Sequence, residues 1–407
     1  MRLPRWTRGP CSASSTTSRS SSPSCRSTPT RPGHRSRSCD ALRRRHAAAR
    51  ARAHRRTARA DARPVCSPRA GPVVSPADDA SHPRLVGDVG GTHARFGWIE
   101  APGAAITNVR VYLCREHAGL DAAIERYLAE AALERPRAAA IGVATPVAGD
   151  VVSFTNLAWS FSIAAIRERF DLGELVVLND FAAVALAIPG LGADAHRGVG
   201  GGTAVEHGTL AVLGPGTGLG VGGAVHSGAG WVPIVGEGGH ATLAADDAID
   251  ERLLALLREE LGHVSAERVL SGQGLVNLHR AHALLDGEKS ELLGAPEIVD
   301  RAIAGSDARC VRTVERFFGF LGSFAGNLAL TLGASGGVYI AGGIVPRFGD
   351  RIDASPFRAR FENKGRFRAY LSAIPTRVIA APADAALRGA NQALDDALAR
   401  RVGRGAA

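Results

Sequence analysis

In "VVLNDF", residues 176 to 181, Asn179 and Asp180 close an apolar run and open an alanine-rich one. An aspartate at a strand end facing a cleft can accept the proton of a hydroxyl nucleophile, while the asparagine beside it hydrogen-bonds a neighbouring hydroxyl. A sugar hydroxyl is far less acidic than a carboxylic acid. Such an aspartate therefore mainly orients the nucleophile and takes the proton late, as a loose phosphoryl-transfer transition state requires. The competing reading makes one of the pair the N-cap of the following helix. "GEGGH" sets Glu237 and His240 on a glycine turn after the apolar run "WVPIV". "HVSAERVLSGQGL" is read as placing Glu267 early in a helix, where a capping-box or helix-dipole role beside Ser265 is the structural alternative. A zinc site at His240 is disfavoured, because no cysteine is nearby and no second histidine stands at ligand spacing. Together the five residues form the acceptor-rich set that a polyhydroxylated ligand needs, since each hydroxyl buried without a partner costs about 1 to 3 kcal/mol.

Glycine turns accompany this set. "LVGDVGGT" carries Gly87, Asp88, Val89, Gly90, Gly91 and Thr92 between two apolar runs. It matches neither the dinucleotide fingerprint nor the P-loop, because a second strand follows it and no lysine is near. It still suits phosphate, since backbone N–H groups at a glycine bend approach anionic oxygens closely and Thr92 adds a hydroxyl. A bare Asp88 would repel phosphate, so its presence is explained by a Mg²⁺ ion held there through water. Taken alone, the stretch reads as a tight hairpin with left-handed glycines. A second copy changes that reading: "GPGTGLG" offers Gly216, Thr217 and Gly218 in a comparable bend, and "AGGI" adds Gly342 and Gly343 after a later strand. Two hairpins around the phosphates and one flat turn against the base suit a nucleotide held in a cleft.

The elements that must position these residues follow from hydrophobic periodicity. Residues 84 to 89, 94 to 100 and 109 to 115 read as three antiparallel strands. A helix over 120 to 133, a buried strand over 138 to 144, a short strand over 151 to 156 and a helix over 162 to 170 come next. The strand over 174 to 180 then feeds a helix over 181 to 188. After "GVGGG" (198 to 202) the strand, glycine turn, strand pattern restarts at 208 to 226, which predicts two related βββαβα halves. Helices over 246 to 261, 265 to 285 and 307 to 332 follow, then strands at 336 to 344 and 376 to 381. A last helix over 385 to 399 returns to the first half and closes the cleft between them. The predicted fold class is α/β with mixed sheets. The predicted division is one domain of 84–195 plus 381–400 and a larger one of 196–380.

The net charge of +10 is concentrated in the first 80 residues, where 18 arginines and no lysine face Asp40, Asp61, Asp78 and Asp79. The remainder carries −4, which argues against nucleic acid as the partner of the folded body. This Arg/Ser-rich segment holds few large apolar residues and is expected to be disordered. A transit peptide, a nucleic-acid-binding arm and an extension from a start codon placed too far upstream are its three readings, the last favoured by the arginine and alanine richness. Cys114 and Cys310 alone among the six cysteines lie in the body, which fits a reducing, cytoplasmic compartment. No apolar stretch is long enough to span a bilayer.

With "LVGDVGGT", "NDF", "GTGLGV", "GEGGH", "HVSAERVLSGQGLVNL", "GGVYIAGGIVPRF" and "FENKGRF" in this order, the chain from about 84 to 390 resembles the bacterial glucokinase family, of the actin-like ATPase and hexokinase superfamily. The resemblance implies a two-domain, ribonuclease H-like fold with an interdomain cleft, and ATP:D-glucose 6-phosphotransferase activity. By position it implies Asp180 as catalytic base, with Asn179, Glu237, His240 and Glu267 on the glucose hydroxyls. Gly87 to Thr92 and Gly216 to Gly218 would be phosphate loops, with Gly342 and Gly343 on the adenosine side. ATP, Mg²⁺ and a homodimer come with the same resemblance. His93 departs from it, standing where the family usually carries Asn. The related repressor and sugar-kinase family usually carries a His and Cys zinc motif that this chain lacks. A kinase for another hexose and a non-catalytic sugar sensor on the same fold are the alternatives.

Overall fold

The computed structural model describes residues 81 to 405 apart from 155, 156 and 290. The disorder and the upstream start expected for residues 1 to 80 lie outside the described residues. The chain begins with the three predicted antiparallel strands, β1 (Arg84–Val89), β2 (His93–Ile99) and β3 (Thr107–Leu113). After helix α1 (Leu120–Glu130), β4 (Ala138–Val143) returns parallel to β1. After helix α2 (Ile163–Arg169), β7 (Glu174–Asn179) lies parallel to β4. The sheet order is β3-β2-β1-β4-β7, while β5 (Val151–Ser153) and β6 (Ser160–Ser162) pair separately. Every residue of β4, "AAAIGV", is buried, as expected of a central parallel strand covered on both faces. Alternation assigns the faces: Leu85, Ala139 and Ile141 pack with Leu120, Ile124 and Tyr127 of α1. Ala138 and Ala140 pack instead with Ala390 and Leu394, and Val86 with Leu387, all from the last helix, α10 (Pro382–Gly405).

The second half repeats the pattern. β9 (Leu210–Pro215), β10 (Leu219–His226) and β11 (Trp231–Val235) are antiparallel, then β12 (Gly337–Ile340) and β13 (Thr376–Ile379) are parallel beside β9. The order is β11-β10-β9-β12-β13, with β8 (His196–Val199) added antiparallel to β13 at the edge. One face of this sheet, through Ala211, Leu213, Val338 and Ile340, packs on helices α4 (Ala248–Leu261), α5 (Gly272–Leu285) and α7 (Ala308–Leu332). The other, through Leu210, Val212, Tyr339 and Ile379, meets Ala385 and Ala386 of α10, Val184 and Ala185 of the helix that follows β7, α3 (Asp180–Ala187), and Ile188 just after it. Helices α3 and α10 therefore lie between the two sheets. This duplicated βββαβα arrangement, closed by a returning C-terminal helix, is the two-part actin-like ATPase fold with a cleft between its halves.

The expected helix over 265 to 285 is a correction. It begins only at Gly272, where the Ser271 hydroxyl accepts the Gly274 N–H, and residues 265 to 271 form turns. Periodicity also passed over β8, α6 (Ala295–Ala304), α8 (Phe357–Glu362) and α9 (Arg368–Ser372), most of them too short to show a period. The apolar helix α7 buries Phe317, Phe318, Phe320 and Leu321 in the core. Among the described residues no helix is long and apolar enough to cross a membrane.

Candidate active site

Strands β1, β4 and β7 run parallel, so their carboxyl ends form one edge of the first sheet. Asp88 is level with Gly142 there, and Val143 with Asn179. In open α/β sheets this edge is where ligands bind. Gly142 keeps the centre of the edge clear, since a Cβ on it would stand 3.4 Å from the Asp180 Cα. Asn179 is the N-cap of α3: its Oδ1 accepts the N–H groups of Phe181 at 3.0 Å and Ala182 at 3.1 Å. The competing reading of the pair thus holds for the side-chain oxygen of Asn179, which leaves Nδ2 as a donor to a ligand. Asp180 also accepts the Phe181 N–H, at 2.9 Å. Burial, then the charges of Asp88 and Glu237, push the Asp180 carboxyl up to about 7.

Burial likewise lifts the Asp88 carboxyl to about 6, against the pull of Arg95, whose guanidinium lies 3.4 Å away. Arg95 was not singled out in the sequence. Its signal was the register, because the four-residue turn after Val89 makes Asp88 and Arg95 cross-strand partners. In that turn the Gly90 N–H donates to the His93 carbonyl at 2.9 Å, and the side chains of Thr92 and His93 are exposed. Buried Cys114 steadies the turn: its N–H donates to Thr92 O at 2.9 Å and its Sγ–H to Gly90 O at 3.5 Å.

On the second sheet, the hairpin between β9 and β10 has a three-residue turn of Gly216, Thr217 and Gly218, closed by Gly216 N–H to Gly218 O at 2.8 Å. None of the glycines of the two hairpin turns has a left-handed φ, which corrects the expectation that they were chosen for one. Gly218 is small for another reason, since a Cβ would stand 2.5 Å from the Glu267 carboxylate. Glu267, in a turn rather than early in a helix, accepts the Leu219 N–H at 2.9 Å through Oε2. Its own N–H donates to Gly239 O at 2.9 Å. One residue thereby joins the hairpin to the Glu237–His240 turn, where the His240 Nε2 lies 3.9 Å from Glu237 and both side chains are exposed. Gly342 does need its conformation: φ is +81° and a Cβ would collide with the Pro215 carbonyl at the base of the same hairpin. Gly343 has nothing facing it within 4 Å.

The structure thus groups Asp88, Asn179 and Asp180 on the first sheet, with Glu237 close enough for its charge to act on Asp180. It groups Gly216 to Gly218, Glu267 and Gly342 on the second. Carboxylate and amide groups of the kind that can orient a hydroxyl thus lie near glycine turns of the kind that can face phosphate oxygens, the pairing that transfer between a phosphoryl donor and an alcohol requires.

Comparison with known proteins agrees with this chemistry. The glucokinase family model matches residues 85–397. The glucokinase of Aromatoleum aromaticum is 52% identical over 324 residues, which span 79% of this chain and 98% of that protein. The glucokinase of Chromobacterium violaceum is 47% identical over 319 residues, 78% of this chain and 91% of that one. A crystal structure of a glucokinase from an Antarctic psychrotroph superposes with a TM-score of 0.70 at 37% identity, covering 77% of this chain and 99% of that chain. The chain belongs to the glucokinase family.

Proposed function

We propose that the protein transfers the terminal phosphoryl group of ATP to the 6-hydroxyl of D-glucose, with Asp180 as general base. The observation that carries the reading is the placement of Asp180 at the carboxyl edge of the first sheet, its carboxyl raised to about 7 by burial and by Asp88 and Glu237. Such a group is ionised at slightly alkaline pH yet basic enough to share the proton of an attacking hydroxyl. Asn179 Nδ2, Glu237, His240 and Glu267 receive the remaining sugar hydroxyls. Gly87 to Thr92, with Asp88 among them, and Gly216 to Gly218 lie along the phosphates, and Gly342 and Gly343 face the adenosine.

The donor set suits Mg²⁺. Asp88 and Asp180 are two partly buried carboxylates, and Arg95 lies against the charge of the first, so a divalent cation would relieve both. Asp88 would hold the ion through water, and the ion when bound neutralises charge on the transferred phosphoryl group. The residues of the chain then do the rest: they orient the hydroxyl, exclude water and accept its proton. Residues 84–195 with 381–400 form one domain and 196–380 the other, and they close around glucose. A cytoplasmic homodimer acting in glycolysis extends the family likeness and belongs to the same proposal.

A coupled assay with Mg-ATP across a hexose panel tests the reading. Glucose is expected to give the highest kcat/KM, with mannose, fructose and N-acetylated amino sugars lower by about 10-fold or more. A higher value for any of them would reassign the substrate, and no turnover with any hexose would leave a sugar-binding protein without kinase activity.

A further inference from the structure

Phe181 follows the proposed base directly, yet its ring packs on the opposite sheet. Gly214 of β9 and Gly220 of β10 face each other across the antiparallel ladder, one rung below the pair that closes the Gly216–Gly218 turn. The rung carries no side chain, and the Phe181 ring occupies the space: a Cβ on either glycine would overlap it. One step further, a Cβ on Gly222 would stand 3.3 Å from the Phe181 carbonyl. An aromatic ring laid over bare glycines in a sheet restores the packing they forgo. The same residue's N–H is the donor shared by Asn179 Oδ1 and Asp180 Oδ1. Through its main chain Phe181 therefore orients the base, and through its side chain it docks on the root of the hairpin.

We propose that Phe181 is a positioning residue: its ring, seated on the Gly214–Gly220 rung, fixes the Asp180 carboxylate relative to the Gly216–Gly218 hairpin. The inference rests on reading Asp180 as the base and that hairpin as the phosphate loop. It gives Gly214 and Gly220 a task separate from phosphate contact. Misplacing a reacting group by about 1 Å can cost on the order of 100-fold in rate, so the effect belongs in kcat.

Steady-state kinetics and glucose titration calorimetry on Phe181→Ala, Phe181→Leu, Gly220→Ala and the Phe181→Leu/Gly220→Ala double variant provide the test. Phe181→Ala is expected to lower kcat by about 30- to 100-fold while glucose Kd stays within about 3-fold, and Phe181→Leu to recover part of the loss. Gly220→Ala is expected to lower kcat alone, and the double variant to lose less kcat than the product of the two single losses, because the smaller side chain makes room for the new methyl. Wild-type kcat in Phe181→Ala, parallel losses of kcat, glucose binding and Tm, or single effects that simply multiply would each overturn it. Asp180→Asn measured alongside separates the two levels. Retained turnover in that variant defeats the functional reading, whereas its loss together with an unaffected Phe181→Ala defeats this inference alone.

Discussion

Asp180→Asn is expected to lower kcat by about 1,000-fold or more while glucose still binds, because the variant keeps the acceptor for the Phe181 N–H and loses only the basic oxygen. The same substitution is expected to stabilise the fold at pH 8. Burial, Asp88 and Glu237 raise the folded-state value of Asp180 from 3.8 to about 7, so the folded chain holds this proton more tightly than the unfolded one. The stabilisation that this provides is full below about pH 4 and is lost as pH rises through about 7. A neutral side chain escapes the loss. At pH 8 the variant should gain about 1 to 2 kcal/mol, or a few degrees in Tm, and the gain should vanish near pH 4. Differential scanning at the two pH values measures it. Wild-type kcat/KM should also fall as pH drops through about 7, when the base becomes protonated. A variant that is inactive yet less stable at pH 8 would mean that Asp180 is a structural carboxylate.

The second large effect lies away from the site. Asp250 is fully buried, with Oδ1 accepting from Arg316 at 2.8 Å, and Oδ2 from Arg360 at 2.5 Å and from the Asp246 N–H at 3.1 Å. Its neighbour Asp247 caps α4 and meets the same two arginines from a more exposed position. Together the pair ties α4 to α7 and α8 behind the second sheet. Removing one partner of a buried ion network strands the others, so Asp250→Ala should cost about 3 to 5 kcal/mol and lower Tm by on the order of 10 °C. Asp247→Ala should cost about 1 kcal/mol, the worth of an N-cap with a partly solvated ion pair. Chemical denaturation of both variants decides between them, and equal costs would mean that the buried network contributes no more than its exposed half.

Much of the architecture was legible because it rests on local pattern. The short apolar runs "RLVGDV", "HARFGWI" and "AAAIGV" specify largely buried strands, and the echo of the first glycine turn in the second announced the duplication that the two sheet orders display. Asp247 and Asp307, just ahead of α4 and α7, are caps of the kind that mark helix starts in sequence. Glu267 was misplaced because Ala266, Val269 and Leu270 keep the i, i+3, i+4 apolar spacing of a helix through a segment that is in fact a string of turns and bends. The true start signal was present in Ser271, the cap of α5, and the periodicity upstream outvoted it. The partners of Asp88 and Phe181 were hidden for a different reason. Arg95 faces Asp88 only once the hairpin register is fixed, and Phe181 meets Gly214 and Gly220 only once the two sheets close on α3. Glycines read from sequence as nucleotide contacts therefore divide into three kinds: Gly90, Gly91 and Gly216 at the turns, Gly218, which also clears space for Glu267, and Gly342, which alone of the turn glycines discussed requires a left-handed φ.

Phosphorus NMR of the purified protein with Mg-ATP and glucose tests the central claim most directly. Glucose 6-phosphate should accumulate mole for mole with ADP, and the Asp180→Asn protein at the same concentration should form neither. ADP released without a sugar phosphate, an ester on another hydroxyl, or equal product from the two proteins would contradict it.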